Sequence, residues 1–189
     1  MRVYFKLCVL AVVVSMPSVL ARQSGAPTSA CTSMRPGHRF NGTLIEPQEP
    51  DQSPYSIVLS SSEYSPGETI TVTIQGGDYR GVLLQVRKVG EDTPTGTWSN
   101  PPNDTKLLTC TNSNDAVTHA NTNLKGEDSV YTWTSSENVG AVQIVATIAE
   151  SYNVFWVQLV SDQVSGAVQG ASPNILLLLL VALFVFLGE

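Results

Sequence analysis

The chain has few of the residues that usually carry metal or redox chemistry: two histidines and three cysteines occur among its 189 residues. No HExxH, CxxC or P-loop spacing appears, which excludes the common zinc, dithiol and phosphate-binding motifs. Serine, histidine and aspartate are all present, but no nucleophile-elbow sequence singles out a serine. The sequence therefore predicts no catalytic residue, no metal site and no cofactor, and we expect that the chain is not an enzyme.

The two histidines leave one alternative open. His38 and His119 each lie close in sequence to one of two cysteines, Cys31 and Cys110, so a fold that joins the cysteines could also join the histidines. With a carboxylate nearby, such a pair could hold a metal ion. Loop histidines more often form ordinary hydrogen bonds or face solvent, and we expect that here.

Positive charge is also scarce. The chain has 10 Lys and Arg against 16 Asp and Glu, with a formal net charge of −6. This sign argues against nucleic acid as a partner, because phosphate backbones are bound by basic surfaces. Arg80, Arg87 and Lys88 lie at or near the ends of one β-rich run and could meet an anionic ligand. The alternative is a solvated strand edge that discourages aggregation.

Long apolar runs occur only at the two ends. The first 21 residues have Arg2 and Lys6, then an apolar core, then small residues at Val19 and Ala21, which is the pattern of a secretory signal peptide. Its removal would start the mature chain at Arg22. The alternative, an N-terminal membrane helix, is weakened by the polar residues and proline that interrupt the apolar run.

The C-terminal run covers the 13 residues from Ile175 to Leu187 and is followed by Gly188 and Glu189. A spanning helix needs about 20 apolar residues, whereas a signal for a glycosylphosphatidylinositol (GPI) anchor needs small residues, a polar spacer and a terminal apolar tail. We therefore predict lipid attachment at Ser165 and removal of residues 166–189. A short or tilted span, or a terminal strand or core helix, is the alternative. The predicted location is extracellular, either secreted or GPI-anchored at the outer face of the plasma membrane.

Cleavage of the signal peptide removes Cys8 and leaves Cys31 and Cys110. An even count in an oxidising compartment predicts one disulfide, with two free thiols as the alternative. Two sequons, Asn41-Gly42-Thr43 and Asn103-Asp104-Thr105, predict glycans at Asn41 and Asn103.

Residues 22–165 form one domain's length of short β-rich runs separated by turn residues every 8–12 positions. In 69–75, Ile70, Val72 and Ile74 share one face, the period-two pattern of a half-buried strand. These features predict an all-β protein with an immunoglobulin-like antiparallel β-sandwich; a small barrel is the alternative. The predicted strands cover 55–61, 69–75, 82–88, 106–110, 130–134, 141–149 and 154–160.

Several longer stretches form a recognisable set. They are CTSMRPGH (31–38), the run from PYSIVLSS to GVLLQVRK (54–88), GTWSNPPNDTKLLTC (96–110), VTH (117–119) and YTWTSSENVGAVQIVATIAESYNVFWVQLVS (131–161). Together they resemble the reeler (reelin N-terminal) domain, as found in invertebrate defence proteins and at the start of ferric-chelate reductase 1. The resemblance covers residues 31–161 and implies an extracellular immunoglobulin-like sandwich bridged by the two cysteines.

The resemblance also frames the function. In ferric-chelate reductases a haem-binding membrane module follows this domain and carries the chemistry; here the chain ends after one short apolar stretch. We expect a binding module of innate defence whose partners are microbial cell-surface molecules or extracellular proteins. A matrix or adhesion module, or a non-catalytic stand-alone relative of the reductase, is the alternative.

Aromatic side chains could form a ligand platform in such a module. Trp133 and Trp156 lie within strand-like runs, where tryptophan usually fills a core. Trp98 lies in a segment with loop composition and is the tryptophan expected to be exposed. The full set of aromatic candidates is Tyr79, Trp98, Tyr131, Trp133, Tyr152, Phe155 and Trp156.

Overall fold

The computed structural model describes residues 23–167 and shows a nearly all-β protein in which two sheets face each other. The predicted signal peptide and the apolar tail from Ile175 to Leu187 lie outside the described residues. Within 23–167 no helix is long and apolar enough to cross a membrane. The described helices are two single 3-10 turns, Thr28–Ala30 and Pro50–Gln52.

The smaller sheet has four strands, and the larger has six. In spatial order the smaller sheet contains β3 (Ser56–Leu59), β5 (Thr69–Gln75), β10 (Tyr131–Thr134) and β7 (Thr97–Ser99). The larger contains β4 (Glu63–Tyr64), β12 (Phe155–Gly166), β11 (Val142–Ala149), β6 (Gly81–Lys88), β9 (Ala116–His119) and β8 (Thr105–Leu108). A separate hairpin joins β1 (Arg39–Phe40) to β2 (Thr43–Leu44).

All described pairings are antiparallel except the short parallel pair of β4 and β12. Each predicted strand corresponds to an observed one, and the antiparallel immunoglobulin-like sandwich is confirmed. The structure adds strands in stretches where no strand is predicted, among them β7 and β9. β7 has three residues and β9 has four, and neither lies within one of the longer β-rich runs from which the other strands are predicted.

The core between the sheets is built from alternating strand residues. In β5, Ile70, Val72 and Ile74 are fully buried while the threonines between them are more exposed, as expected for side chains that alternate between two faces of a sheet. Trp98 and Trp133 are paired across β7 and β10 and are both buried. Gly96 permits this packing, because a Cβ there would lie 2.4 Å from the indole Nε1 of Trp133.

The larger sheet is covered on both faces. Residues of β6 that point into the sandwich, such as Val82 and Leu84, are buried, but so are their outward neighbours Leu83 and Gln85. A second apolar cluster explains this: Ala30 and Met34 pack against the outer face of the sheet together with Leu83 and further apolar residues. The chain before β1 thus forms a third layer, which we call the N-terminal segment (residues 25–38).

Candidate functional site

A disulfide fixes the N-terminal segment to the larger sheet. Cys31 and Cys110 are bonded, with their Cα atoms 5.7 Å apart, so the predicted bridge is confirmed. Cys31 directly follows the 3-10 turn, and Cys110 follows β8. The buried carboxylate of Asp115 accepts the backbone N–H of Cys110 at 2.7 Å and that of Thr111 at 2.8 Å. This contact shapes the loop that presents Cys110.

Buried polar contacts reinforce the disulfide. The guanidinium of Arg87 donates to the carbonyl oxygens of Cys31 at 2.8 Å and Thr32 at 3.1 Å. It also donates to Gln85 Oε1 at 2.9 Å and to Asp92 at 3.1 Å. Burial lowers the pKa of Arg87, while Asp92 raises it. The guanidinium therefore donates hydrogen bonds to carbonyl oxygens at the end of the 3-10 turn, where backbone oxygens lack helical partners.

These contacts change the interpretation of the basic residues near β6. Arg87 is only 2% exposed, so it neither meets a ligand at the surface nor forms a solvated edge, and β6 lies inside the six-stranded sheet. Both predictions for Arg87 are wrong because the N-terminal segment covers the sheet face on which it lies. Arg80, just before the strand, is exposed and donates to the carbonyl oxygen of Thr122 at 2.9 Å.

A cavity of about 600 Å³ opens between the N-terminal segment and one end of the larger sheet. We call it the N-terminal cavity. It lies where β6 begins and where β9 and β11 end, as the pairing of Gly81 with Ala149 shows. Its volume falls within the range typical of small-molecule sites. The lining residues used below are Met34, Leu83, Thr147 and Ala149 for its apolar wall, and Arg35, His38, Arg80, His119 and Tyr152 for its polar groups.

The fold brings His38 and His119 to this same cavity. His38 stacks against Tyr152, with ring centroids 4.3 Å apart, and meets Phe155 edge-on at 5.2 Å. Burial is the main factor that lowers the pKa of His38; a backbone contact with Tyr152 raises it, and His119 lowers it. The backbone N–H of Val82 donates to His119 Nδ1 at 3.3 Å.

The described residues arrange no metal-binding group around the two histidines. Across residues 23–167, no group of three or more His, Cys, Asp or Glu side chains is arranged to hold a metal ion. One carboxylate, that of Glu46, is in contact with a polar group of the cavity, and it is paired with Arg35. The open alternative of a two-histidine metal centre with a carboxylate therefore gains no support from this geometry.

Of the aromatic candidates, Tyr152 lines the cavity. Its hydroxyl accepts the backbone N–H of Arg39 at 2.9 Å and donates to the carbonyl oxygen of Arg39 at 3.0 Å, which ties the β1–β2 hairpin to the site. Trp98 is 1% exposed, so the prediction that it is exposed is wrong: a short strand, β7, carries it into the core. Trp133 and Trp156 are buried as predicted. The remaining aromatic candidates, Tyr79, Tyr131 and Phe155, are also buried.

The predicted modification sites lie at the surface or at a strand end. Asn41, at the tip of the β1–β2 hairpin, and Asn103, in the loop before β8, are both exposed, as a glycan would require. Ser165 lies within β12, where its backbone N–H donates to the carbonyl oxygen of Ser62 at 2.9 Å. Glycosylation and lipid attachment stay predictions.

Sequence reasoning missed most of the wall of the cavity. Met34 and Arg35 lie in a segment whose apolar residues have no regular spacing. Thr147 and Ala149 have the sequence pattern of ordinary strand residues. Thr147 donates to the carbonyl oxygen of Met34 at 2.6 Å, which anchors the segment above the sheet. Only the resemblance, through the stretch 31–38, gave a signal that this part of the chain belongs to the domain.

The two facing sheets, the covering segment and its bridge define a disulfide-linked, immunoglobulin-like β-sandwich domain. Comparison with known proteins makes this class more specific. The family model of the "Reeler domain" matches residues 29–171, so the chain belongs to the reeler domain family.

Relatives with this domain fall into two groups. The chain is 40% identical to "Putative defense protein 3" of Antheraea mylitta over 162 residues, which is 83% of this chain and 94% of the relative. It is 30% identical to "Putative ferric-chelate reductase 1" of Danio rerio over 151 residues, but this match covers only 25% of that protein. Similarity to the reductase is thus limited to the reeler part.

A solved structure agrees with the fold. The crystal structure of the human F-spondin reeler domain covers 61% of this chain and 90% of that chain, with a TM-score of 0.51 and 18% sequence identity. At this identity the likeness concerns the fold alone.

Proposed function

We propose that the chain is an extracellular, non-enzymatic binding module of innate defence that recognises molecules of microbial surfaces. The observation that carries the proposal is the N-terminal cavity, a ligand-sized space with convergent polar groups held on a rigid, disulfide-linked scaffold. The similarity to proteins named as defence proteins over nearly their whole length supports the biological setting.

A binding role suits the chemistry of the site better than a catalytic one. The cavity offers arginine and histidine side chains, and its lining residues include no aspartate, glutamate or cysteine. The reductase relatives carry about three quarters of their length outside the matched part. We expect that the purified protein has neither haem absorption nor ferric reductase activity.

Display at a surface would suit this role. The carboxyl end of β12 lies beside Val142 and Lys88, since Val142 pairs with both Val164 and Lys88. The cavity lies at the other end of β6, beside Gly81, about 23 Å away at roughly 3.3 Å per residue. A lipid anchor near Ser165 would therefore leave the cavity at the end of the domain that points away from the membrane.

The test compares how well the protein is retained on two kinds of immobilised material. Purified protein from cells that express the full chain is incubated with immobilised bacterial cell-wall fractions and, in parallel, with matrix proteins. We expect retention on the microbial fractions, and weaker retention for Arg80→Glu than for Lys88→Glu. Lys88→Glu is the control, because it makes the same charge change at the far end of β6. Retention on matrix proteins alone would replace the defence role with an adhesion role.

A further inference from the structure

The lining of the N-terminal cavity reverses the charge balance of the chain. The sequence has 16 acidic and 10 basic residues, yet two arginines and two histidines line this cavity and no aspartate or glutamate does. Arg80 is exposed. Burial is the main cause that lowers the pKa of nearby Lys125, Asp104 raises it, and the charge of Arg80 lowers it further. Arg35 is paired with Glu46 and burial lowers the pKa of His38. The positive charge of the lining that has no ion pair within residues 23–167 is therefore that of Arg80, which favours an anion at the mouth.

Two residues that line the cavity each have a buried polar atom without a partner. In residues 23–167 four buried side-chain nitrogens have no hydrogen-bond partner, and two of them, Arg35 Nε and His38 Nδ1, belong to residues that line this cavity. Arg35 already uses its terminal nitrogen to bind Glu46, so its Nε–H is a separate donor. Buried polar groups are seldom left unpaired. A ligand oxygen would accept from the Nε–H of Arg35, and from His38 in the tautomer that carries its proton on Nδ1.

The rest of the wall is apolar. Met34 and Leu83 belong to the buried cluster that joins the N-terminal segment to the sheet, and Ala149 adds a small side chain at the end of β11. The small size of Ala149 leaves open a volume that a larger residue would fill. A ligand for this site needs an apolar body as well as an anionic head, because burial of apolar surface is the main source of affinity in such cavities.

We propose that the N-terminal cavity binds an anionic amphiphile: a single apolar chain that ends in a carboxylate or a phosphate. The apolar chain of the ligand contacts Met34, Leu83 and Ala149. The head group accepts hydrogen bonds from Arg35 Nε–H and from His38 in its Nδ1–H tautomer, with Arg80 at the mouth. This inference rests on the proposed function, since it names the ligand class for the same site.

Isothermal titration calorimetry of the protein from cells that express the full chain tests the proposal. Octanoate, dodecanoate and dodecyl phosphate are titrated below their aggregation concentrations, with dodecanol and dodecyltrimethylammonium as probes that have the same chain without the anion. We expect saturable binding of the anions, tighter for dodecanoate than for octanoate, and at least about tenfold weaker binding of the other two probes. Dodecanoate and dodecyl phosphate distinguish the two possible head groups.

Two variants locate the ligand. Ala149→Leu fills the apolar wall and should weaken dodecanoate binding about tenfold or more. Arg80→Gln removes a charge at the mouth and should weaken it about three- to tenfold, with a smaller salt dependence. Lys88→Gln is the matched control, with unchanged affinity expected. Thermal unfolding of each variant shows whether the fold is retained, and Arg80→Gln, on an exposed residue, stays informative if Ala149→Leu does not fold.

Several results would overturn the proposal. Equal binding of dodecanol and dodecanoate would remove the anionic requirement, and equal loss in Arg80→Gln and Lys88→Gln would place the ligand elsewhere. Absence of binding by any anion while the protein is still retained on microbial fractions would refute this ligand class and leave the proposed function in place. Loss of both would refute both.

Discussion

Two tryptophans of the smaller sheet show what a single side chain contributes. Trp98 and Trp133 face each other across β7 and β10 and are equally buried. They differ in their polar atom: Trp133 Nε1 donates to the carbonyl oxygen of Thr95 at 2.9 Å, whereas Trp98 Nε1 has no partner within residues 23–167. Substitutions of these two tryptophans therefore separate the effect of side-chain volume on stability from the effect of a hydrogen bond.

We predict that Trp133→Phe destabilises the protein more than Trp98→Phe does, by about 1–3 kcal/mol, because it leaves the oxygen of Thr95 unpaired. Trp98→Ala should cost roughly 3–5 kcal/mol through the cavity that it creates. Urea unfolding measures all three. If Trp98→Ala costs under about 1 kcal/mol, then Trp98 is not a core residue.

Arg87 is a second residue whose role is structural. We predict that Arg87→Met lowers the free energy of unfolding by roughly 2–4 kcal/mol. The carbonyl oxygen of Thr32 loses its donor, and that of Cys31 keeps only the side-chain amide of Gln85 at 3.0 Å. Lys88→Met, the matched control on the next residue, should change it by less than about 0.5 kcal/mol. Equal effects of the two substitutions in urea unfolding would contradict the contacts described for Arg87.

The pKa of His38 provides a pH prediction. Burial lowers this pKa below 6.5, with His119 acting in the same direction and the Tyr152 backbone opposing. As the pH falls through 6.5, His38 takes up a proton in the unfolded chain before it does so in the folded protein. The free energy of unfolding therefore decreases as the pH falls from 6.5 through the pKa of His38 in the folded state. An NMR titration should give a midpoint below 6.5, and His38→Gln should remove this part of the pH dependence. A midpoint at or above 6.5 would contradict the prediction.

At the scale of elements, the N-terminal segment distinguishes this domain from a plain two-sheet sandwich. It covers the outer face of β6 and β11 and supplies one wall of the cavity. The contacts that hold it include the disulfide, the Arg87 hydrogen bonds and the hydrogen bond from Thr147 to Met34. A change in any of them should therefore affect ligand binding as well as stability.

We predict that Cys110→Ser lowers the free energy of unfolding by roughly 2–5 kcal/mol and sharply reduces secretion. Cys31→Ser combined with Cys110→Ser should cost no more than the single change, because each substitution removes the same bond. Peptide mapping without reductant should recover the two cysteines in one linked pair. Recovery of both as alkylated free thiols would contradict the bridge.

The same elements explain what the sequence could and could not predict. Strands such as β5 and β11 are long enough for their alternation to be visible, so they were predictable. The burial of Trp98 was not predictable, because the glycine, proline and aspartate residues around it have loop composition, although Trp98 itself lies in a short strand and is buried. The burial of Arg87 was not predictable either, because the segment that covers it comes from more than 50 residues earlier in the chain. The cavity depends on the same long-range packing.

At the scale of the whole molecule, the two ends of the sandwich have different tasks. One end carries the cavity, and the other receives the carboxyl end of β12, which pairs with β4 through Ser165 and Glu63. Beyond Ser165, the backbone N–H of Ala167 donates to the carbonyl oxygen of Tyr64 at 2.7 Å, and Asn138 donates to the carbonyl oxygen of Ala167 at 2.8 Å. Cleavage after Ser165 would remove these contacts, at about 0.5–1.5 kcal/mol each.

We predict that phosphatidylinositol-specific phospholipase C releases the protein from intact cells, and that mass spectrometry finds the lipid on Ser165. Replacement of Ser165, Gly166 and Ala167 by bulky residues should abolish surface display, because the attachment site needs small residues. The same replacement at Gly170, Ala171 and Ser172 is the control. An intact C-terminus ending at Glu189 in the membrane fraction would instead indicate a retained membrane segment.

The disulfide also affects what happens to the domain when a protease cuts it. Because Cys31 and Cys110 are 79 residues apart, they close a covalent ring that includes the exposed loop between β6 and β7, where Glu91 and Asp92 lie. A protease that cuts this loop opens the ring but releases no fragment, since both new ends stay joined through the two sulfur atoms. The nicked domain keeps its strands β5 and β6 attached to β8 and β9, and only reduction followed by unfolding can separate them.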